Sequence, residues 1–153
     1  MIEFVEFQTD SPLYRQFCEL RNDVLRRPLG LSLFDEDLSD EDSSWHFVLY
    51  DQGILAGVIL TPLEDAKQPT VKLRQMCVCP SRSRQGFGKE LVERVEVIAR
   101  ARGVHKVTMS ARVTAESFYR KLGYESVGAP FLSVGIPHVT MEKELQLMTS
   151  EQR

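Results

Sequence analysis

The chain has 153 residues and a net charge of −3, a length that predicts one domain, spanning 1–153, around a single sizeable core. Its longest apolar stretch, Ile54–Leu60, is far too short to cross a membrane as a helix. Three cysteines, an odd count without framework spacing, argue against a disulfide scaffold and for a reduced, cytoplasmic setting.

The small net charge hides an asymmetry. Residues 1–65 carry 14 Asp/Glu against 4 Lys/Arg (−10), and residues 66–153 carry 8 against 15 (+7). Two ligands of opposite sign, or two solvated surfaces, fit this division equally well. Nucleic-acid binding by the basic half is a weak reading, because no recognition motif accompanies the charge.

Taken in order, Met1–Phe7 has neither a basic start nor a long apolar run. Its Ile2–Phe7 alternation predicts a strand rather than a signal peptide. Ser11-Pro12 predicts a helix start, with Ser as N-cap and Pro at the first helical position. Leu13, Phe17, Leu20 and Val24 then share one helix face, and Arg27-Pro28 with Gly30 stop the helix. Leu31–Ser44 reads as a loop or short helix rich in Asp and Glu. Trp45–Tyr50, the turn Asp51-Gln52-Gly53 and Ile54–Thr61 predict a β-hairpin. After a polar connection, Val71–Cys79 predicts a strand ended by Pro80. A glycine-containing loop, Ser81–Gly86, leads to a long helix with Phe87, Leu91, Val95 and Ile98 on one face and Gly103 at its end. Val104–Ser110 predicts a strand and Thr114–Leu122 a short helix closed by Gly123. Tyr124–Val127 and His138–Glu144 predict two last strands around a Gly/Pro-rich loop. The order β-α-β-β-β-α-β-α-β-β implies an α/β fold with a mixed sheet and helices on both faces.

The strongest local signal is Val78-Cys79-Pro80-Ser81-Arg82-Ser83-Arg84-Gln85-Gly86-Phe87-Gly88-Lys89. A strand, a basic loop, two glycines and a helix start together suit an anion. The first helical turn has unsatisfied N–H groups and the positive end of the helix dipole. Gly86 and Gly88 allow close approach of backbone to a pyrophosphate, and Arg82, Arg84 and Lys89 add charged donors. The third glycine of a dinucleotide fingerprint and the Gly-Lys-Ser/Thr of a phosphate loop are both missing. A plain basic turn before a helix is the competing reading.

This segment resembles motif A of the GNAT N-acetyltransferases, whose pattern is Gln/Arg-x-x-Gly-x-Gly/Ala after a strand. Ser83 stands where that family usually has Gln or Arg. Ala115-Glu116-Ser117-Phe118-Tyr119-Arg120-Lys121-Leu122-Gly123-Tyr124 resembles its motif B, with Arg112 where many members have Asn. Gly135-Ile136-Pro137-His138-Val139-Thr140-Met141 resembles the tail of the ElaA/YjcF-type subgroup. The resemblance covers nearly the whole chain.

The resemblance implies a mostly antiparallel central sheet with one splayed parallel pair, Leu73–Cys79 and Val104–Ser110. It implies acetyl-CoA as co-substrate, held within Val71–Arg102, and direct transfer to a primary amine of a small molecule or peptide without an acyl-enzyme. A non-catalytic acyl-CoA-binding module is the alternative on the same fold. Coenzyme contacts are implied at Met76, Cys77, Val78, Arg82, Arg84, Gln85, Gly86, Phe87, Gly88, Lys89, Ser110 and Tyr119. Tyr119 is implied as general acid, its plain alternative being a core aromatic. Lys72 occupies the strand position where many relatives carry an acidic base. His138 becomes the candidate base, since an imidazole suits proton transfer near neutrality, and a structural hydrogen-bonding role is the alternative. His46 is expected on a strand near the acceptor, and His105 at the surface. Cys77 and Cys79 share a strand face. Packing is expected for both and a metal for neither, with Cys77 the nearer to the thioester. A cationic acceptor drawn by Asp35–Asp42, Glu64 and Asp65 fits the acidic half. A homodimer is in keeping with the family, and neither a membrane nor a nucleic-acid partner is expected.

Overall fold

The computed structural model describes residues 1–64 and 66–146. Seven strands form one sheet: β1 (Glu3–Phe7), β2 (Trp45–Tyr50), β3 (Ile54–Leu63), β4 (Thr70–Val78), β5 (Lys106–Arg112), β6 (Glu125–Ser133) and β7 (Ile136–Glu144), in the order β1-β2-β3-β4-β5-β7-β6. The helices are α1 (Pro12–Arg21), α2 (Phe87–Ala101) and α3 (Glu116–Lys121). The chain divides into two compact units, Met1–Thr61 with Arg74–Val95, and Pro62–Leu73 with Glu96 onward. β3, β4 and α2 each pass from one unit into the other.

In the first unit, α1 begins as its sequence dictates. The Ser11 hydroxyl accepts from the Leu13 N–H at 3.2 Å, and Pro12 opens the helix. Phe17 is fully buried and packs with Phe7, Val48, Ile59 and Cys77, while Leu13, Leu20 and Val24 flank this cluster. The predicted apolar face is therefore the one that packs. The helix does not run on regularly, however. After Arg21 it becomes a π-helical turn over Asn22–Arg26 and a tight 3-10 turn over Arg27–Leu29, ending at left-handed Gly30. β1 pairs antiparallel with β2 and β2 with β3. Gly57 on β3 is required by space: a Cβ there would lie 2.3 Å from the Phe17 ring.

In the second unit, β5 and β7 are antiparallel from Lys106↔Glu144 to Arg112↔His138. The parallel register of β4 with β5 runs only from Thr70↔Lys106 to Lys72↔Thr108. β4 continues to Val78 and β5 to Arg112. The core holds Val107, Met109, Tyr124, Val139 and Met141. The expected Gly/Pro-rich loop between the last two strands is instead a hairpin, since β6 extends to Ser133 and β7 starts at Ile136. Two local features make this possible. Left-handed Gly128 lies in a register shift between Val127 and Phe131, and Val134 and Gly135, both at positive φ, form a two-residue turn.

Candidate active site

The loop after β4 is built by local hydrogen bonds. The Cys79 N–H donates to the Leu55 carbonyl at 2.8 Å, anchoring the end of the strand to β3. Pro80 then starts a 3-10 turn in which the Arg82 N–H donates to the Cys79 carbonyl. Arg84 (φ 63°) and Gly86 (φ 83°) take left-handed backbone and reverse the chain into α2. Only glycine adopts that conformation at no steric cost, and Gly86 faces open space, with no atom within 4 Å of an added Cβ. The Glu90 N–H already donates to the Gly86 carbonyl, so α2 is regular from its first turn. The N–H groups before Glu90 lack carbonyls one turn behind them within the helix.

Charge is arranged around these amides. The Arg82 guanidinium lies 5.6 Å from the Phe87 ring centroid, and its Nε is buried without a hydrogen-bond partner among the described residues. Arg84 and Gln85 are exposed. Lys89 is exposed too, and its ammonium pairs only loosely with Glu93 at 3.9 Å. Backbone donors, an orphaned guanidinium N–H, open space at Gly86 and exposed cations make a donor set that suits a pyrophosphate. Ser83 is exposed in extended backbone at the end of the 3-10 turn.

On β4, Met76 and Val78 are half-buried and Cys77 is buried in the core. Burial pushes the Cys77 thiol up to about 12. Cys77 is thus a protonated packing group, while Cys79 is partly exposed, with its Sγ 3.4 Å from the Ser81 hydroxyl. One residue before Met76, Gln75 has φ 58° inside the strand, and its amide oxygen accepts from Arg26 Nη2 at 3.3 Å. Neither the bend nor its tie to Arg26 is signalled by the residue types.

In the second unit, Ser110 is exposed on β5 and pairs in register with Thr140. Tyr119 lies on α3 with 6% exposure, edge-on to Phe118 and Tyr124. The Tyr124 hydroxyl donates to Glu96 at 2.8 Å, and Glu96 also holds the Lys143 ammonium at 2.8 Å. Burial, followed by the nearby Glu96 charge, raises the Tyr124 hydroxyl far above its ordinary range. Tyr124 is therefore a fixed structural donor.

His138 is half-buried on β7, with its Nδ1 2.8 Å from the Ile136 carbonyl. A carbonyl can only accept, so Nδ1 carries the proton, and in the neutral ring Nε2 carries the lone pair. His46 has no such freedom. It is buried on β2, its Nε2 donates to the Glu41 carbonyl at 2.9 Å, and burial holds the ring below its ordinary range. His46 is a core residue. His105, expected at the surface, is half-buried just before β5, and its N–H donates to the Pro69 carbonyl.

The acidic segment is largely committed to the fold. Glu41 is 1% exposed and Arg21 0%, joined by two parallel bonds of 2.9 and 2.7 Å, and Tyr14 also donates to Glu41 at 2.7 Å. Glu36 holds Arg26, and Asp40 lies 3.8 Å from Arg74. The Asp42 carboxylate accepts from Thr9. Asp35 and Asp37 stay exposed, as does Glu64, while Asp65 lies outside the described residues. Sequence reasoning missed the Arg21–Glu41 pair, yet a signal existed. Arg21 sits one turn beyond Phe17, on the face that packs, where a charge needs a buried partner.

Similarity to known proteins agrees with this architecture. The family described as the acetyltransferase (GNAT) domain matches residues 30–145. A protein of Bacillus subtilis (strain 168), named only as a putative acetyltransferase, is 31% identical over 89% of this chain and 92% of its own length. The crystal structure of Escherichia coli ElaA is similar at a TM-score of 0.79 and 19% identity, over 94% of this chain and 100% of that one. A coenzyme A complex of an aminoglycoside 6'-N-acetyltransferase gives 0.75 and 17%, over 97% and 99%. The chain belongs to the GNAT acetyltransferase family.

Proposed function

We propose that the protein transfers an acetyl group from acetyl-CoA directly to a primary amine of a small molecule or peptide. The observation that carries this reading is the Pro80–Lys89 segment. There two left-handed residues turn a basic loop into the start of α2, beside backbone donors, the Arg82 Nε and open space at Gly86. In this reading the amides from Gln85 to Lys89, with Arg82 and Arg84, hold the pyrophosphate. Met76, Cys77 and Val78 offer backbone to the pantetheine arm, and Phe87, Ser110 and Tyr119 complete the coenzyme contacts.

The chemistry sets the demands. An alkyl amine of pKa about 10.4 is mostly protonated at pH 7, and freeing its lone pair costs roughly 4–5 kcal/mol. His138 Nε2 takes that proton. The amine nitrogen attacks the thioester carbonyl, the C–S bond breaks, and the departing thiolate takes a proton from the Tyr119 hydroxyl; the second proton shed by the attacking nitrogen passes to solvent, which reprotonates Tyr119. The Nδ1–H of His138, donated to Ile136, supports this assignment because it leaves Nε2 as the basic atom.

The test is thiol release from acetyl-CoA across a panel of amines, run beside Tyr119→Phe. Turnover with at least one amine is expected, and Tyr119→Phe should lower kcat by about a hundredfold with little change in the KM for acetyl-CoA. Tight coenzyme binding without turnover on any amine would instead identify an acyl-CoA-binding module. Equal effects on kcat and KM would make Tyr119 a binding group.

A further inference from the structure

The base assigned above sits in a frame that the β6–β7 hairpin builds for it. The turn at Val134–Gly135 fixes the register as Ser133↔Ile136, Leu132↔Pro137 and Phe131↔His138. Phe131 is therefore the direct cross-strand neighbour of His138. Its ring lies parallel to the imidazole within 24°, with centroids 6.0 Å apart. The pairing resumes at Phe131 after the register shift that begins at Val127. One residue more or less in that shift would send the Phe131 side chain to the opposite face.

β6 is the terminal strand, exposed along most of its length, and Phe131 is itself 39% exposed. Burial on that edge gives an aromatic side chain little, whereas covering one imidazole face restricts ring rotation. The imidazole is then held by two groups. The Ile136 carbonyl fixes which nitrogen is protonated, and the Phe131 ring fixes the plane in which the other lone pair points. Val134 adds a third sign. A β-branched residue at φ 46° is strained, yet it closes the two-residue turn that sets this register.

We propose that Phe131 is a positioning residue for His138, holding the imidazole plane so that the Nε2 lone pair stays aimed at the acceptor amine while Ile136 holds Nδ1–H. This rests on the reading of His138 as the base. Phe131 does not touch the reacting atoms in this role. It restricts the base to one plane, and holding that plane keeps Nδ1–H on the Ile136 carbonyl; its removal frees the ring to turn, mixes the tautomers and lowers the fraction of enzyme with the base correctly aimed.

Nitrogen-detected NMR of the labelled imidazole reads the tautomer directly, alongside steady-state kinetics of Phe131→Leu, Phe131→Tyr and His138→Gln. In the unaltered protein the spectrum should show one neutral form, protonated at Nδ1. Phe131→Leu should lower kcat roughly tenfold, leave the KM for acetyl-CoA nearly unchanged and introduce a second tautomer. Phe131→Tyr, which keeps the ring, should restore both the rate and the single tautomer. Full activity with a single tautomer in Phe131→Leu would overturn the proposal. So would a lost rate with the tautomer unchanged, which would mean that Phe131 acts on something other than the ring of His138. Should Phe131→Leu not fold, the Phe131→Tyr spectrum still decides, because a mixed tautomer with the aromatic ring retained contradicts the proposal. The underlying reading fails separately: an active His138→Gln removes His138 as base whatever Phe131 does to the imidazole.

Discussion

The acidic segment Leu31–Ser44 and the basic loop Ser81–Gly86 look like mirror images in the sequence, yet the fold uses them in opposite ways. In the acidic segment, Glu41 is buried against Arg21 and Tyr14, Glu36 grips Arg26, and Asp40 faces Arg74. In the basic loop, Arg84 is exposed and Arg82 keeps a buried Nε without a partner among the described residues. One cluster is paired within the fold; the other keeps exposed cationic side chains, which suits the coenzyme site proposed above. Charge density alone therefore does not show where a ligand binds; what matters is whether each charge has been answered from within. The carboxylates left to steer a cationic amine are fewer than the composition suggests.

This contrast can be broken at either end. The largest effect should come from Arg21→Ala. It leaves the Glu41 carboxylate buried and unpaired, and stability should fall by about 3–5 kcal/mol, read as a lower denaturant midpoint. A change within experimental error would show that the pair is solvated and the comparison unfounded. Next, Gly86→Glu should leave the fold intact, because an added side chain meets open space, although the left-handed backbone adds modest strain. Coenzyme affinity should nevertheless fall by about a hundredfold or more, the consequence of placing like charges together at several kcal/mol. Calorimetry showing unchanged affinity would move the coenzyme elsewhere.

The smallest effect should be on acid stability, and its sign follows from two groups in the acidic segment's own network. Burial keeps His46 neutral in the fold, so the unfolded chain takes up a proton first. Stability should begin to fall as pH drops below about 6.5. Burial tends to raise the Glu41 carboxyl, but hydrogen bonds from Arg21 and Tyr14 outweigh it and hold the group below its ordinary range. The stability it contributes is present above about 4.3 and is lost as pH falls through its lower folded value. Melting temperatures from about pH 8 to about pH 2 should thus decline in two stages, and His46→Gln should remove the first. A flat profile between pH 7 and pH 5 would contradict the account of His46.

Much of the first layer of this protein was legible in the chain itself. The Ser11-Pro12 helix start, the Leu13/Phe17/Leu20/Val24 face, the β2–β3 hairpin, Gly86 before α2 and Gly103 after it all depend on contacts a few residues apart. Side-chain type sets such contacts directly, through a cap, a missing Cβ or a repeating apolar face. The motif order around Gly86, Tyr119 and His138 was legible for a different reason, its resemblance to the GNAT family.

What only the tertiary structure decided lies further apart in sequence. Arg21 meets Glu41 across a π-helical turn and two 3-10 turns. The Gly/Pro-rich stretch became a hairpin because Gly128 and the Val134–Gly135 turn let it pair with β7, which set Phe131 against His138. These outcomes depend on register and burial, and both are properties of the assembled sheet. A one-residue slip reverses every side chain, and a charge acquires its partner only where water has been excluded. The residue types named the candidates for the site, and packing determined which charges remained open and which nitrogen of His138 kept its lone pair.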